Sequence, residues 1–348
     1  MVIKAKFKLS HVISFCLTLS IVQRCTSEEA ESYGNENSAD SGEGQDIPFC
    51  GASVVQNLEG GRIVGGLDAK PYEFPWMAKL FYHRNLRCAA TLVADRYMVT
   101  AAHCIAEYKK GSSLRPRRKR KSKDRKRNYV VLSAAGFVVG LGSHNTWGLS
   151  TYKRKVDKII THPNFDYFAS GNREVGSYMI QTNDIAILKF RPVDFSTRVV
   201  PVCLPPQGVR VKNNMELVLA GWGSINSDDL SGDNKPQLPH VLQKTKLMKI
   251  SFKECQKNEN VGMHFNKQNQ LTEREVFCLM GNETDSCQGD SGGPVVEKTY
   301  HGYRLVGLVS WGIGCNMEAY PSAYTQVSSY MEFLIRHTRD GKFLPFKH

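Results

Sequence analysis

A serine in a glycine-rich stretch is the residue of this chain best suited to covalent chemistry. Residues 285–294 read Asp-Ser-Cys-Gln-Gly-Asp-Ser-Gly-Gly-Pro, with Ser291 among the glycines. A serine hydroxyl is a weak nucleophile until a base removes its proton. A glycine-rich turn lets two backbone N–H groups, those of Gly289 and Ser291, point at one place and stabilise an oxyanion. Such a stretch alone is usually an ordinary surface loop, so the interpretation depends on partners elsewhere.

Two other motifs supply these partners. His103 lies in Ala-Ala-His-Cys, and Asp184 lies in Asn-Asp-Ile-Ala. An imidazole can act as the base, and a carboxylate can orient it and stabilise its charged form. With these motifs in the order His103, Asp184, Ser291, the chain resembles the chymotrypsin/trypsin family of serine endopeptidases. The resemblance extends from Ile63 to about residue 339, and it implies an acyl-enzyme mechanism that needs no cofactor.

The elements that must position these residues are expected to be strands. Short apolar runs alternate with turn residues between 74 and 103 and again at 137–142, a pattern typical of antiparallel strands. The resemblance implies an all-β fold of two antiparallel six-stranded β-barrels with the active site between them. The apolar spacing within residues 327–339 predicts a C-terminal helix that packs on the core. The protease domain would occupy residues 63–340, followed by a tail at 341–348.

The amino terminus has the features of a secretory signal peptide. Three lysines precede an apolar run at residues 11–22, which is too short to span a bilayer. We therefore expect a signal peptide at 1–27, a secreted protein and no membrane span. Removing it would leave eight of the ten cysteines. Spacing alone leaves their pairing open, and the resemblance implies the pairs Cys50–Cys203, Cys88–Cys104, Cys255–Cys278 and Cys287–Cys315.

Residues 28–62 are predicted to form a prosegment. Residues 28–46 hold seven acids and no Lys or Arg, so they bury too little apolar surface to order themselves. Two hypotheses remain for these residues: a solvated tail, or a loose electrostatic contact with the basic insertion described below. The resemblance implies that activation occurs by cleavage of the Arg62–Ile63 bond. The freed amine of Ile63 would then pair with the buried carboxylate of Asp290. Cys50 would keep the cleaved prosegment attached.

An insertion at residues 105–135 carries most of the net charge. Residues 109–127 contain twelve Lys or Arg and one acid, a net +11 out of +13 for the whole chain. The fold as a whole is therefore not expected to bind nucleic acid. Three hypotheses stand for the insertion: a solvated loop that restricts the cleft, a binding site for sulfated glycosaminoglycan, or a cleavage site.

Substrate preference is predicted from residues flanking the nucleophile. In the family, the position six residues before Ser291, here Asp285, forms the floor of the primary pocket, where a carboxylate would attract Arg or Lys. Residues Ser310, Trp311 and Gly312 correspond to the strand that pairs with the substrate backbone, and Gly312 leaves the pocket open. Ser322 stands where trypsins usually have glycine. Its side chain would affect whether the pocket prefers Arg or Lys. Ala89 also replaces a usual glycine. The loop 166–181 is long, which favours a narrow cleft.

Other features define the expected partners. Residues 143–158 lack the acidic residues with which some family members bind calcium, and no metal-ligand spacing occurs elsewhere, so no metal is expected. Asn282 begins a glycosylation sequon. A protein substrate, an activating protease and a serpin-type inhibitor are the expected partners. One alternative is a protease-scaffold protein that binds glycosaminoglycan. The other is an esterase of unrelated fold, which the order of the three motifs disfavours.

Overall fold

The structure is a computed structural model, and it describes residues 49–55, 66–109, 128–172, 176–225, 237–262, 265, 271–281, 286–287, 289–312 and 320–347. Several predicted features lie outside these ranges: the signal peptide, Arg62, Ile63, the basic core of the insertion, Asn282, Asp285 and Cys315. Within the described ranges, no helix has the length and apolar character needed to cross a membrane.

The described chain is built mainly of β-strands. They are β1 (Leu67–Asp68), β2 (Met77–Tyr82), β3 (Asn85–Ala94), β4 (Tyr97–Thr100), β5 (Ala106–Tyr108), β6 (Tyr129–Val131), β7 (Phe137–Leu141), β8 (Tyr152–Thr161), β9 (Asp166–Asn172), β10 (Gly176–Thr182), β11 (Ala186–Phe190), β12 (Glu216–Gly221), β13 (Gln243–Lys249), β14 (Val276–Met280), β15 (Pro294–Thr299), β16 (Gly302–Trp311) and β17 (Ser322–Gln326). The helices are α1 (Phe252–Lys257), α2 (Glu259–Gly262) and α3 (Met331–His337), with 3-10 turns at Ala102–Ile105, Ala134–Gly136 and Val327–Tyr330.

The strands form two closed antiparallel barrels of six strands each, which confirms the predicted fold. The first barrel has the order β11-β4-β3-β2-β7-β8, and β11 closes on β8. The second has the order β13-β12-β15-β16-β17-β14, closed by β13 on β14, and β1 joins the edge of β13. Closure gives each of the six strands in a barrel a paired neighbour on both sides.

Alternating burial along the strands fills the barrel interiors. In β13, Thr245, Leu247 and Lys249 are buried while Lys246 and Met248 between them are exposed, the period of two expected of a strand. The core of the first barrel includes Leu80, Leu92, Val99, Leu141 and Ile187. The core of the second includes Leu217, Leu247, Phe277, Val295 and Val309.

Two segments fold differently from a simple reading of their sequence. Residues 166–181, interpreted as a loop, form the hairpin β9–β10, paired from Asp166 with Thr182 to Asn172 with Gly176. The ends of the basic insertion also pair, as β5 with β6, and the Lys109 amide donates to the carbonyl of Asn128 at 2.8 Å. The C-terminal helix is present, and its first turn is a 3-10 turn.

Candidate active site

His103 lies on the 3-10 turn that directly follows β4. A disulfide joins Cys104 on this turn to Cys88 on β3, with the two Cα atoms 6.1 Å apart. Arg87 braces the same turn, because its Nε donates to the carbonyl of Cys104 at 2.6 Å and its Nη2 to the carbonyl of Ala106 at 3.1 Å. The imidazole is therefore held on a turn with little freedom to move.

Asp184 comes between β10 and β11 and is 2% exposed. One carboxylate oxygen accepts from the backbone N–H of His103 at 2.9 Å, and the other lies 2.8 Å from His103 Nδ1. Ser310 of the second barrel donates its hydroxyl to the same carboxylate at 2.6 Å. Burial raises the pKa of Asp184, but attraction to His103 and these hydrogen bonds outweigh it and hold the pKa below its usual value. The carboxylate is thus ionised and faces the imidazole.

Ser291 lies on the turn before β15, and this turn packs directly on the first barrel. The carbonyl of Ser291 accepts from the amide of Ala89 on β3 at 2.9 Å. Gly292 approaches Thr100 and Ala89 so closely that a side chain there would overlap them, and its φ of +75° also favours glycine. Since Thr100 ends the strand before the His103 turn, the structure brings the serine turn and the histidine turn together.

Two further features shape this turn. Gly289 has a φ of +103°, a conformation that side-chain-bearing residues rarely adopt, and it sets the direction of the backbone just before the serine. The amide of Gly293 donates to the carbonyl of Asp290 at 2.8 Å, which closes the turn around Ser291. This geometry places Ser291 at the apex of a closed turn.

Asp290 is a buried carboxylate immediately before the nucleophile. Its oxygens accept from the amides of Gly223 at 2.7 Å and Cys287 at 3.0 Å. Gly221 and Gly223 face it so closely that a Cβ at either position would overlap the carboxylate. Among the residues that the structure describes, no cation pairs with it, and burial raises its pKa to about 6 despite the two hydrogen bonds.

The residues assigned to substrate binding lie beside this arrangement. Ser310 and Trp311 end β16 and Gly312 follows them, and the Trp311 ring centroid is 5.7 Å from that of Phe265. The buried Ser322 lies next to Gly312, since a Cβ at Gly312 would be 2.5 Å from Ser322 Oγ. Gly312 therefore leaves a space beside the substrate strand, and the Ser322 hydroxyl lies at the edge of that space. Asp285, the predicted pocket floor, lies outside the described residues.

The cysteines follow the pairing that the resemblance implies as far as the structure reaches. Disulfides join Cys50 to Cys203 with Cα atoms 4.9 Å apart, and Cys255 to Cys278 with Cα atoms 6.2 Å apart, in addition to the pair beside His103. Cys287 is also in a disulfide, and its predicted partner Cys315 lies beyond the described residues.

Metal binding by the described site residues does not fit their chemistry. Cys88, His103 and Cys104 form a group in which ligand atoms lie close together. Both thiols are consumed by their shared disulfide, so neither can act as a thiolate ligand. The His103 Nδ1 in turn faces Asp184. The group is therefore better explained as the support of the histidine turn.

Sequence reasoning missed some contributions to the site. Ser310 was assigned only to the substrate strand, whereas its hydroxyl also binds the carboxylate of Asp184. Thr325 on β17 donates to the carbonyl of Asp184 at 2.9 Å, and nothing in its local sequence indicates this. Arg87 immediately precedes Cys88, and that adjacency is the single local hint of its contact with the histidine turn.

Comparisons with known proteins point in one direction. A family model described as Trypsin matches residues 63–334. The chain is 30% identical over 293 residues to transmembrane protease serine 11C of Mus musculus, covering 83% of this chain and 56% of that protein. It is 29% identical over 293 residues to venom serine protease 34 of Apis mellifera, covering 81% and 60%.

A third relative is phenoloxidase-activating factor 3 of Holotrichia diomphalia, 30% identical over 297 residues, which covers 80% of this chain and 73% of that protein. The alignments thus reach across most of this chain. They span 56% and 60% of the first two relatives, so much of each of those proteins has no counterpart in the alignment.

Proposed function

The chain belongs to the trypsin family of serine proteases, and on that premise we propose that it is a secreted endopeptidase that hydrolyses peptide bonds after Arg or Lys. The observation that carries the proposal is the buried Asp184 carboxylate, bonded to both the backbone and the ring of His103, beside a glycine turn that presents Ser291. These are the groups that a serine nucleophile requires.

The proposed reaction proceeds through an acyl-enzyme. His103 Nε2 takes the proton of Ser291 as Oγ attacks the scissile carbonyl carbon, while Asp184 accepts the Nδ1–H hydrogen bond and stabilises the imidazolium. The N–H groups of Gly289 and Ser291 hold the oxyanion. When the C–N bond breaks, the leaving amine takes the proton from His103. Water then gives a proton to His103 as its oxygen attacks the ester carbonyl carbon. The bond to Ser291 Oγ breaks, Oγ takes that proton back from His103, and the acid product leaves.

Activation is proposed to occur by cleavage of Arg62–Ile63. The carboxylate of Asp290 is buried with two amide donors and no cation among the described residues, an arrangement that favours pairing with an added ammonium. The new amino terminus of Ile63 would supply it. Pairing there would stabilise the turn that carries Gly289 and Ser291, so the uncleaved chain is proposed to be a zymogen.

The specificity proposal depends on Asp285 at the floor of the pocket, with Gly312 and Ser322 on its wall. The contact between Gly312 and Ser322 supports a pocket of limited width at this point. A cationic side chain would pair with Asp285, and the position of Ser322 beside Gly312 would bear on the choice between Arg and Lys. The glycan proposed on Asn282 would lie three residues from Asp285 in the sequence.

Secretion is supported by the signal-like amino terminus and by the disulfides, which persist in oxidising compartments. Some relatives carry names of venom proteases and others of transmembrane proteases. The Cys50–Cys203 disulfide would keep residues 28–62 attached after cleavage. The partners proposed are a protein substrate, an activating protease and a serpin-type inhibitor.

A second candidate function is binding of a sulfated glycosaminoglycan through the polybasic insertion. The observation that favours it is the paired stem β5–β6, which begins directly after the His103 turn and brings the two ends of the charged segment together. Counterion release from such a charge density would give affinity that falls steeply with salt.

One experiment tests the two functions separately. A chain with an enteropeptidase site in place of residues 58–62 is cleaved before Ile63 and assayed on a peptide library, with Ser291→Ala and an uncleaved sample as controls. We expect turnover after Lys or Arg in the cleaved chain alone. Turnover without that preference would contradict the assignment of Asp285. Absence of turnover, combined with heparin retention that Ser291→Ala preserves, would favour the binding protein instead.

A further inference from the structure

A buried lysine lies where the two barrels meet. Lys79 on β2 is 1% exposed, and no acidic side chain pairs with it within the ranges that the structure describes. Its Nζ donates to Ser143 Oγ at 2.9 Å, to the carbonyl of Asn145 at 2.6 Å and to the carbonyl of Thr146 at 2.6 Å. All three N–H bonds of the ammonium are therefore used.

Burying the Lys79 ammonium costs free energy, and the packing of its side chain alone does not explain why a lysine is placed here. An ammonium removed from water is destabilising unless its hydrogen bonds are replaced, and an apolar side chain would fill a buried strand position at lower cost. Burial, assisted by the charge of Lys153, lowers the pKa of Lys79 to about 8. The ammonium therefore acts as a cation tied to β2 that binds three oxygens of residues 143–146.

The segment that Lys79 holds, residues 143–146, is attached to the second barrel. The carbonyl of His144 accepts from the amide of Leu242 at 2.9 Å and from Trp222 Nε1 at 3.0 Å. The amide of Thr146 donates to the carbonyl of His240 at 2.8 Å. Lys79 Nζ also lies 5.1 Å from the centroid of the Trp222 ring. Lys79 thus contacts the Trp222 ring directly. It also binds the segment whose His144 carbonyl accepts from Trp222 Nε1.

Trp222 leads directly to the carboxylate beside the nucleophile. The next residue, Gly223, donates its amide to Asp290 at 2.7 Å, and Asp290 precedes Ser291. We propose that Lys79 is a positioning residue: it holds residues 143–146 against Trp222 and thereby keeps the Gly223 amide in place for Asp290. This inference rests on the proposed protease function for its kinetic consequence, but the structural coupling can be measured without turnover.

The chain offers a matched control in Lys249 on β13. This lysine is also buried, and its Nζ donates to Asn213 Oδ1 at 2.8 Å and to the carbonyl of Ile250 at 2.6 Å. Lys79→Met and Lys249→Met therefore both remove a buried ammonium from uncharged acceptors. We expect both variants to unfold at lower urea than the wild type, so stability alone does not distinguish them.

The kinetic test uses cleaved chains. For Lys79→Met we expect kcat to fall about tenfold with KM within about twofold of the wild type, because the turn is disturbed and the pocket is not. The fraction of folded molecules labelled by a serine-directed phosphonylating reagent should fall in parallel. Lys249→Met should keep the wild-type kcat and labelling. Equal kcat in the Lys79→Met variant and the wild type would overturn the proposal.

The structural test uses uncleaved chains that also carry Ser291→Ala. We expect hydrogen exchange at the amides of Gly223 and Leu242 to accelerate about tenfold in Lys79→Met and to remain unchanged in Lys249→Met. Unchanged exchange in both would refute the coupling. Faster exchange in a chain whose wild type cleaves no peptide would refute the proposed function and leave the coupling standing.

A second variant covers the case in which Lys79→Met does not fold. Lys79→Gln keeps two N–H donors on a shorter side chain and removes the charge. We expect its amide exchange at Gly223 to be faster than that of the wild type and its kcat to be lower, because one donor and the charge are lost. Wild-type exchange and wild-type kcat in Lys79→Gln would show that the ammonium is not required and would overturn the proposal.

Discussion

Replacing Asp290 with asparagine should stabilise the uncleaved chain at neutral pH while strongly lowering the activity of the cleaved one. The carboxylate is buried, and its pKa is raised from 3.8 to about 6. A shift of this size corresponds to about 3 kcal/mol, at about 1.4 kcal/mol for each pKa unit. In the uncleaved chain, ionised Asp290 therefore costs about 3 kcal/mol of the free energy of unfolding.

The sign follows from which state binds the proton. Because the folded pKa is raised, the folded chain binds more protons than the unfolded chain between pH 3.8 and about 6. The favourable contribution is complete below the lower value and is lost as the pH rises through the higher one. Asp290→Asn removes this dependence, but the amide presents an N–H₂ group to one of the two donor amides, which costs about 1 kcal/mol.

The difference in the free energy of unfolding between Asp290→Asn and the parent chain should therefore change with pH. We expect a gain of about 2 kcal/mol at about pH 7.5 and a loss of about 1 kcal/mol at about pH 3. Urea unfolding of uncleaved chains, both carrying Ser291→Ala, measures it. Asp157→Asn on β8 is the exposed control, with an expected change within about 0.5 kcal/mol at either pH.

The cleaved enzyme should respond in the opposite direction. The ammonium of Ile63 would lose its carboxylate partner, so Asp290→Asn should lower kcat/KM by about a hundredfold or more, a cost of about 3 kcal/mol. A parallel loss of stability in the uncleaved chain at neutral pH would refute the view that burial makes the ionised Asp290 carboxylate destabilising before cleavage.

Three further changes test other contacts of the site. Ser310→Ala removes the 2.6 Å hydrogen bond to Asp184 and should lower kcat by about tenfold with little change in KM, measured on an Arg peptide amide. Gly312→Ala places a Cβ 2.5 Å from Ser322 Oγ and should raise KM by about tenfold, and the added change Ser322→Gly should recover part of that loss. Glu73→Gln removes the charge of the buried carboxylate that lies 2.7 Å from Lys244 Nζ and should lower the free energy of unfolding by about 3 kcal/mol in urea.

Much of the fold could be predicted from sequence motifs. The two six-stranded barrels follow from the resemblance, and the alternation seen in β13 reflects the two-residue period of a strand. The hairpin β9–β10 was missed, because residues 166–181 show no clear alternation and are paired by backbone hydrogen bonds that do not depend on side-chain type. The sites at Asp285 and at Arg62–Ile63 stay predictions.

The sequence by itself determined which groups are available for chemistry and where each stands along the chain. The catalytic candidates can be recognised because each lies in a short motif and the three motifs follow in a fixed order: His103, Asp184 and Ser291. Only the tertiary structure decided which charges are buried and what they bind. Lys79 reads as an ordinary strand lysine, and its acceptors come from 64 to 67 residues away in the sequence. Burial and hydrogen bonding depend on atoms brought close by barrel closure, and no local pattern records them.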